Sequence, residues 1–457
     1  MKKKKNSLPR NRQNLGSCLR EIFTPGMWKE LHGRCAAYER QRQRWSVQPV
    51  VLSMLSALLS RPGSLRERFE EGREVCTALM PKRRRGGKTP EGFLKALTKF
   101  PVEGIGVLRE RIQEYVREGG RDPARIGRHV VYGLDGSNQE LPRTEANVER
   151  YGGATKEPPL PQRLTVTAVA LGQRMLWDWA CGAGTDSERA LALEISKRLP
   201  KGCLQVGDAG FVGYQWCAQA LEKGRHMLMR VGSNVQLLTE KEWRVEEKGG
   251  WVWLWPKRPR VQQLPPLKLR LIKLELKKGR GRKKKKQQTN AMWLLTDLSE
   301  LALTKEEARE IYYRRYGGNE ITFRSWKRTL DSAKQLSRRP ALAEREGHFS
   351  LLALMILQAL GLRARARNRK NARFVSVAKA QRVWRKAARA QTRQKNARWL
   401  RTALSEAVVD DYQRVAPKVK RVWPKRKSHR EPGTPNLLRL RMPLKRLGMQ
   451  RLCATGT

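Results

Sequence analysis

An α/β fold is expected for the central part of this chain, and three observations carry that expectation. From residue 128 onward, β-branched runs alternate with amphipathic stretches in the order β, β-β, α, β, α, β. Before about 125 the chain reads as mostly helical, and after 360 acidic residues almost vanish. With 457 residues the chain is long enough for about two to four structural units. A hydrophobic content of 39% suffices for a sizeable core and excludes a disordered tail protein.

In the N-terminal region, "SVQPVVLSMLSALLS" and "GFLKALTKF" carry helix-type apolar spacing, with the basic loop "PKRRRGGKTPEG" between them. These helices read either as a packing subdomain or as a DNA-binding module. "RHVVYGLDG" is a short β-branched run ending in a turn, and "RLTVTAVAL" and "RMLWDWACG" around "GQ" read as a hairpin. A helix "TDSERALALEISKRL" follows, with Thr185 and Glu188 in a capping-box pattern. "CLQVGD" reads as a strand, "GYQWCAQALEKG" as a helix and "HMLMRV" as a strand. Between about 235 and 290 regularity fails. Trp251, Trp253 and Trp255 alternate, as does "LKLRLIKLELKK", and "GRGRKKKKQQ" is a basic loop, so this stretch reads as a β-rich insertion. "AMWLLTDL" resumes as a strand, "TKEEAREIYYRRY" opens a helix with a second capping box from Thr304 to Glu307, and a further helix starts near Asn319.

Charge narrows the function. Lys plus Arg number 97 against 42 Asp plus Glu, a formal net charge of +55. Such an excess repels itself unless it meets a polyanion, and nucleic acid is the partner that fits. The region after 360 holds only Glu406, Asp410, Asp411 and Glu431 as acids. Its Arg and Lys mixed with Trp384 and Trp399 suit backbone contact plus base stacking, and its basic blocks read as solvated helices or as disordered in isolation. None of the seven cysteines forms a CxxC pair and the five histidines are scattered, so the spacing gives no zinc site and suits a reducing cytoplasm. The basic start "MKKKKNSLPRNRQNLG" has no apolar run behind it and does not read as a secretory signal. The apolar run "LLALMILQALGL" is too short to span a bilayer, so no membrane association is expected.

Three acids stand out. Asp135 ends "VVYGLD" and precedes Gly136, and Asp208 ends "CLQVGD". Neighbouring strands that end in Asp can bring two carboxylates to one sheet edge, although Asp before Gly is also an ordinary turn residue. Glu320 lies among Arg314, Arg315, Arg324, Lys327 and Arg328. On a helix, Glu320, Arg324 and Lys327 share a face. That face is either an exposed ion pair or a metal ligand beside phosphate-binding cations. Three such acids could hold two Mg²⁺ ions, which prefer oxygen ligands.

The order Asp135, Asp208, Glu320 resembles the DDE transposases of the insertion-sequence-4 type, whose catalytic domain is ribonuclease H-like. "YGLDGSNQELPRT" is similar to the first-Asp block, "GDAGFVGYQWCAQALEKGRHMLMRV" to the second, and "NEITFRSWK" to the third, with six residues between Glu320 and Lys327. The resemblance covers roughly residues 125 to 360. The family spaces Tyr, two residues, Arg, three residues, Glu, six residues, Lys. Here Tyr312 and Arg315 keep their spacing, but four residues separate Arg315 from Glu320. Gly317 and Gly318 are expected to absorb the extra residue as a local bulge.

The resemblance implies a ribonuclease H-like mixed sheet flanked by helices over 126–360, carrying the β-rich insertion. It sits between a helical, DNA-binding region over 1–125 and a basic region over 361–457 for DNA binding or dimerisation. It implies a transposase that binds terminal inverted repeats and target DNA as a homodimer, and that cleaves and transfers strands with two Mg²⁺ ions, for which Mn²⁺ can substitute. Asp135, Asp208 and Glu320 would be the metal ligands, with Lys327 and Arg315 on phosphate and Tyr312 completing the motif. A flipped base held on Trp293 or on the Trp251–Trp255 strand is weighed against core packing. The expected location is cytoplasmic, on the nucleoid of a prokaryote. Two rivals stay open: a degenerate copy that grips DNA without cutting, and a related metal-dependent nuclease.

Overall fold

The computed structural model describes residues 14–39, 44–60, 63–120, 122–152, 160–239, 250–275, 291–368, 374–410 and 433–439. The basic stretch "GRGRKKKKQQ" and most of the initial basic segment lie outside these residues.

Among the described residues up to 120 there are seven α-helices: α1 (Leu15–Ile22), α2 (Pro25–Arg34), α3 (Ala36–Glu39), α4 (Val47–Leu59), α5 (Leu65–Leu79), α6 (Pro90–Lys99) and α7 (Glu103–Arg117). Local chemistry sets their starts. Thr24 and Thr89 cap α2 and α6 ahead of a proline in the first turn, and Ser64 with Glu67 closes a capping box on α5. α4 is apolar on nearly every side and is buried almost throughout. It crosses α5 so closely that a Cβ on Gly72 would lie 2.4 Å from the Ser53 carbonyl oxygen.

The central sheet has eleven strands among the described residues. They are β1 (Arg125–Ile126), β2 (His129–Glu140), β3 (Gln162–Ala170), β4 (Met175–Ala183), β5 (Leu204–Gly207), β6 (His226–Val231), β7 (Gln236–Thr239), β8 (Gly250–Leu254), β9 (Leu267–Glu275), β10 (Ala291–Thr296) and β11 (Asn436–Arg439). The spatial order is β11-β7-β8-β9-β10-β6-β5-β2-β3-β4, with β1 beside β2. β2, β3 and β4 form an antiparallel meander, and β5 and β6 then add parallel to β2 on its other side. This β4-β3-β2-β5-β6 unit is the ribonuclease H-like mixed sheet expected from the sequence. The β-rich stretch after 235 extends the same sheet, because β9 pairs with β10 and β10 with β6.

Helices cover the sheet: α8 (Glu145–Tyr151), α9 (Glu188–Arg198), α10 (Tyr214–Glu222), α11 (Lys257–Val261), α12 (Lys305–Arg315), α13 (Ile321–Arg324), α14 (Pro340–Arg367), α15 (Val377–Thr392) and α16 (Leu400–Ser405). The capping box of α12 forms as expected, with the Thr304 amide donating to Glu307 and the Glu307 amide to Thr304 Oγ1. The one expected on α9 does not. Ser187 is the N-cap, and the preceding turn is tied by Asp186, whose Oδ2 accepts from the Ala183 amide. Glu188 therefore opens the helix and points elsewhere.

Among the described residues after 360, 361–368 and 374–410 are mostly helical and packed against the rest of the fold rather than forming solvated helices. α14 is long and apolar enough to cross a membrane, yet 83% of its most apolar window is buried inside the fold, which makes it the core helix. It packs against α4, α7, α15, α16 and β4. Trp384 is buried on the inner face of α15 and is not available to a base, while Trp399 takes the Lys386 ammonium over its ring at 4.5 Å. Trp253, Trp255 and Trp293 are core residues too, and Trp251 remains exposed at 40%. One hydrophobic cluster runs from Leu15 through the sheet to Ala407.

Candidate active site

β2 and β5 lie side by side and parallel, with Gly133 opposite Val206. Two residues further on, Asp135 and Asp208 stand level at the same edge, Asp208 just beyond the end of its strand. The run around Asp135 does not end in the expected turn: β2 continues through Gly136 to Glu140, still paired with β3, so Asp135 sits inside its strand, where its Oδ1 lies 3.1 Å from the Gly136 amide. Asp208 is held by the turn after β5, its Oδ1 accepting from the Gly210 amide at 2.9 Å.

Arg315, buried at the end of α12, sits between them. Its Nε donates to the Leu134 carbonyl, and one nitrogen, Nη2, lies 3.2 Å from Asp135 Oδ1 and 3.4 Å from Asp208 Oδ2. A guanidinium thus occupies the point where the two carboxylates converge. Burial pushes the Asp135 carboxyl up, Arg315 opposes this, and Asp208 adds to the rise.

After Arg315 the helix does not break. Residues Tyr316–Glu320 wind as a π-helical turn, which accommodates one extra residue while the axis continues. The turn is seated on the sheet: Asn319 Nδ2 donates to the Gly133 carbonyl at 2.9 Å, and Gly318 lies against Leu171. The bulge expected at the two glycines is this turn. A second π-helical turn spans Ser325–Thr329, where the buried Trp326 indole donates to Ser350 Oγ.

The other expected residues separate from the Asp pair. Glu320 is 70% exposed and pairs with Arg324 at 3.0 Å, the surface ion pair weighed from the sequence. Lys327 reaches back to β2, its Nζ donating to the Asn138 carbonyl at 2.5 Å, and burial pushes its pKa down against the opposing charge of Glu140. Tyr312 is a core residue, packed with Val169, Leu171 and Val206, its ring edge-on to Tyr316 at 5.7 Å.

One acid near the pair was not singled out by sequence reasoning. Glu188, the first residue of α9, lies over Gly136: a Cβ there would sit 2.4 Å from Glu188 Oε1. Its surroundings push its carboxyl up, first by desolvation, then through Asp208 and Asp135, with Arg315 opposing. A topological signal was available. β2 and β4 both run antiparallel to β3, so the helix after β4 must begin at the edge where Asp135 lies.

The donor chemistry suits a hard cation, since the side chains converging on the edge are carboxylates already arranged around a positive group. Among the described residues no three acids or histidines are drawn together as a ready-made cage, so closure around a metal requires Arg315 to shift.

Residues 129–356 match the family model described as a transposase DDE domain. A solved structure of piggyBac transposase in a synaptic complex with hairpin DNA is similar to this chain, with a TM-score of 0.43, 12% sequence identity, and coverage of 88% of this chain and 86% of that one. No curated protein matches at a significant level.

Proposed function

Because residues 129–356 belong to the transposase DDE domain family, we propose that this chain is a transposase of the insertion-sequence-4 type. It binds the terminal inverted repeats of its element as a homodimer, and nicks and transfers DNA strands with Mg²⁺ or Mn²⁺. The observation that carries this reading is the Asp135–Asp208 pair, level on adjacent parallel strands and bridged by Arg315.

Asp135, Asp208 and Glu320 would hold the ions, with Glu320 leaving Arg324. Bound there, two ions would activate water and stabilise the attacking and leaving oxygens on phosphorus. The rest falls to the chain's own groups. Lys327 and Arg324, one helical turn apart, supply the cations that seat the scissile phosphate. Asn319 and Arg315 hold their helix on the Gly133 and Leu134 carbonyls and fix the distance from Glu320 to the Asp pair. In the first step the water oxygen bonds to phosphorus and the P–O3′ bond breaks, leaving a 3′-hydroxyl and a 5′-phosphate. In strand transfer the oxygen of that hydroxyl bonds to the phosphorus of a second phosphodiester, whose own P–O3′ bond breaks and releases a new 3′-hydroxyl that takes up the proton.

A second reading, a chain that grips DNA without cutting it, is favoured by the outward-facing Glu320. Labelled element-end DNA incubated with Mg²⁺ separates the two. Nicking at the boundary is expected from the wild type and is expected to vanish in Asp135→Asn and Glu320→Gln. Equal binding by all three proteins with no cut strand would leave only the binding reading.

A further inference from the structure

We propose that Glu188 is a further carboxylate of the cation site, facing Asp135 and Asp208 from the first turn of α9. This rests on the transposase reading of that site and adds a residue that the family pattern of three acids does not contain.

The glycines that follow the two aspartates mark its position. A Cβ on Gly136 would lie 2.4 Å from Glu188 Oε1, and one on Gly210 would lie 3.0 Å from Asp208 Oδ1 and 4.0 Å from Glu188 Oε2. One oxygen of Glu188 therefore covers Gly136 on β2, next to Asp135, while the other approaches the turn after Asp208. Any side chain at Gly136 would occupy the space the carboxylate fills.

The backbone holds it there. Arg189 Nε donates to the Gly210 carbonyl at 2.6 Å, pinning the start of α9 to the Asp208 turn. Asp186 fixes the chain just before the helix through the Ala183 amide. The Glu188 carboxylate makes no hydrogen bond or ion pair with another described residue. The Arg315 guanidinium contacts the two aspartates and not Glu188. Arg315 thus serves the two aspartates, while Glu188 stands beside them without a cation of its own among the described residues. A cation bound between the aspartates would find Glu188 as an additional oxygen donor, directly or through water.

A merely structural role for Glu188, such as favouring the N-terminal end of the α9 dipole, would leave cation affinity unchanged. Mn²⁺ binding to the full chain, followed by the paramagnetic resonance signal of free Mn²⁺, distinguishes the two. The set comprises the wild type, Asp135→Asn, Glu188→Gln, Glu188→Ala and Glu194→Gln, the last removing the same charge from an exposed position of the same helix. The expected result is binding by the wild type, loss in Asp135→Asn, weakening by about 10–100-fold in both Glu188 variants, and wild-type affinity in Glu194→Gln. Wild-type affinity in the Glu188 variants beside a loss in Asp135→Asn overturns this inference and leaves the transposase site standing. Absence of binding by the wild type, or equal binding by Asp135→Asn, overturns both. Equal weakening by Glu188→Gln and Glu194→Gln reduces the effect to net charge and overturns it. So does a collapsed melting temperature in either Glu188 variant, which would make the residue a structural one.

Discussion

Asp178 on β4 shows how single residues tie the N-terminal helices to the central sheet. Its side chain is buried, accepts from Arg109 Nη1 of α7 at 2.7 Å and from Arg198 Nε of α9 at 2.8 Å, and also takes the Trp179 amide. Removing one member of a buried ionic set leaves the others desolvated and unpaired. Asp178→Ala is therefore expected to cost about 3–5 kcal/mol in urea unfolding. A loss below about 1 kcal/mol would mean that both arginines find water. The histidines at the opposite end of β2 and β6 give the pH dependence. His226 Nδ1 lies 2.6 Å from Asp297 Oδ2, and that hydrogen bond raises its pKa against the opposing effect of burial. Burial lowers the pKa of His129, with Glu307 opposing and Arg128 reinforcing. A raised histidine stabilises fully below its unfolded pKa of about 6.5 and loses that contribution as pH climbs through the folded value. A depressed one has the opposite sign and acts below about 6.5. Melting temperature is thus expected to fall as pH rises above neutrality, and His226→Gln should flatten that limb while sparing the acid side. An unchanged alkaline slope in the variant would rule His226 out as its source.

Among the elements, the helix from Lys305 to Thr329 shows what was legible in the sequence and what was not. The motif spacing located the extra residue between Arg315 and Glu320, and the two glycines marked where the backbone could widen into a π turn. Tyr316 belongs to that turn and is 42% exposed, whereas Gly317, Gly318 and Asn319 lie against Arg174, Leu171 and Gly133. Deleting Tyr316 is expected to convert the π turn to α-helix while keeping the Asn319–Gly133 and Trp326–Ser350 bonds. Its melting temperature should stay within a few degrees of wild type, on the order of 1 kcal/mol, with any DNA nicking retained. Loss of the fold would show that the π turn sets the phase of the downstream helix. The strands with Asp135 and Asp208 were legible because a β-branched run is a local pattern, and for Asp208 the turn after it was legible too; at Asp135 the Asp-Gly pair suggested a turn, but pairing with β3 carries β2 on to Glu140. Glu188 was not, because its partners lie on other strands and only the sheet order brings them together. Its place three residues after Thr185 also suggested a capping box that the Asp186 turn pre-empts. Trp384 was misjudged for a similar reason: composition marks a basic region with tryptophans, but only packing shows that α15 turns its indole inward.

At the scale of the whole molecule, a formal charge of +55 must be placed somewhere, and α15 displays part of it in order. Arg382, Lys386 and Arg389, with Arg393 at its C-cap, follow one another at i, i+4, i+7 and i+11, all four exposed, on a helix without a single acid. The opposite face carries Val377, Ala380, Trp384 and Ala387 into the core, so the ridge is rigidly mounted. α15 also packs beside the Ser325–Thr329 turn that carries Lys327 and Arg328, which places the ridge next to the helix of Glu320. A duplex lying along this face would have its phosphates neutralised by consecutive side chains, each releasing counterions. If all four cations contact phosphate, replacing them together with Gln should flatten the plot of log affinity against log salt by about 3–4 units, because each contact contributes roughly 0.9 for duplex DNA. Non-specific duplex suffices as the probe, since phosphate contacts carry no sequence information. The melting temperature should hold, because the substituted positions leave the buried face of α15 intact. An unchanged slope would move the DNA path off α15, toward the N-terminal helices. The comparison needs no element sequence and reads the same whether or not the chain cuts DNA.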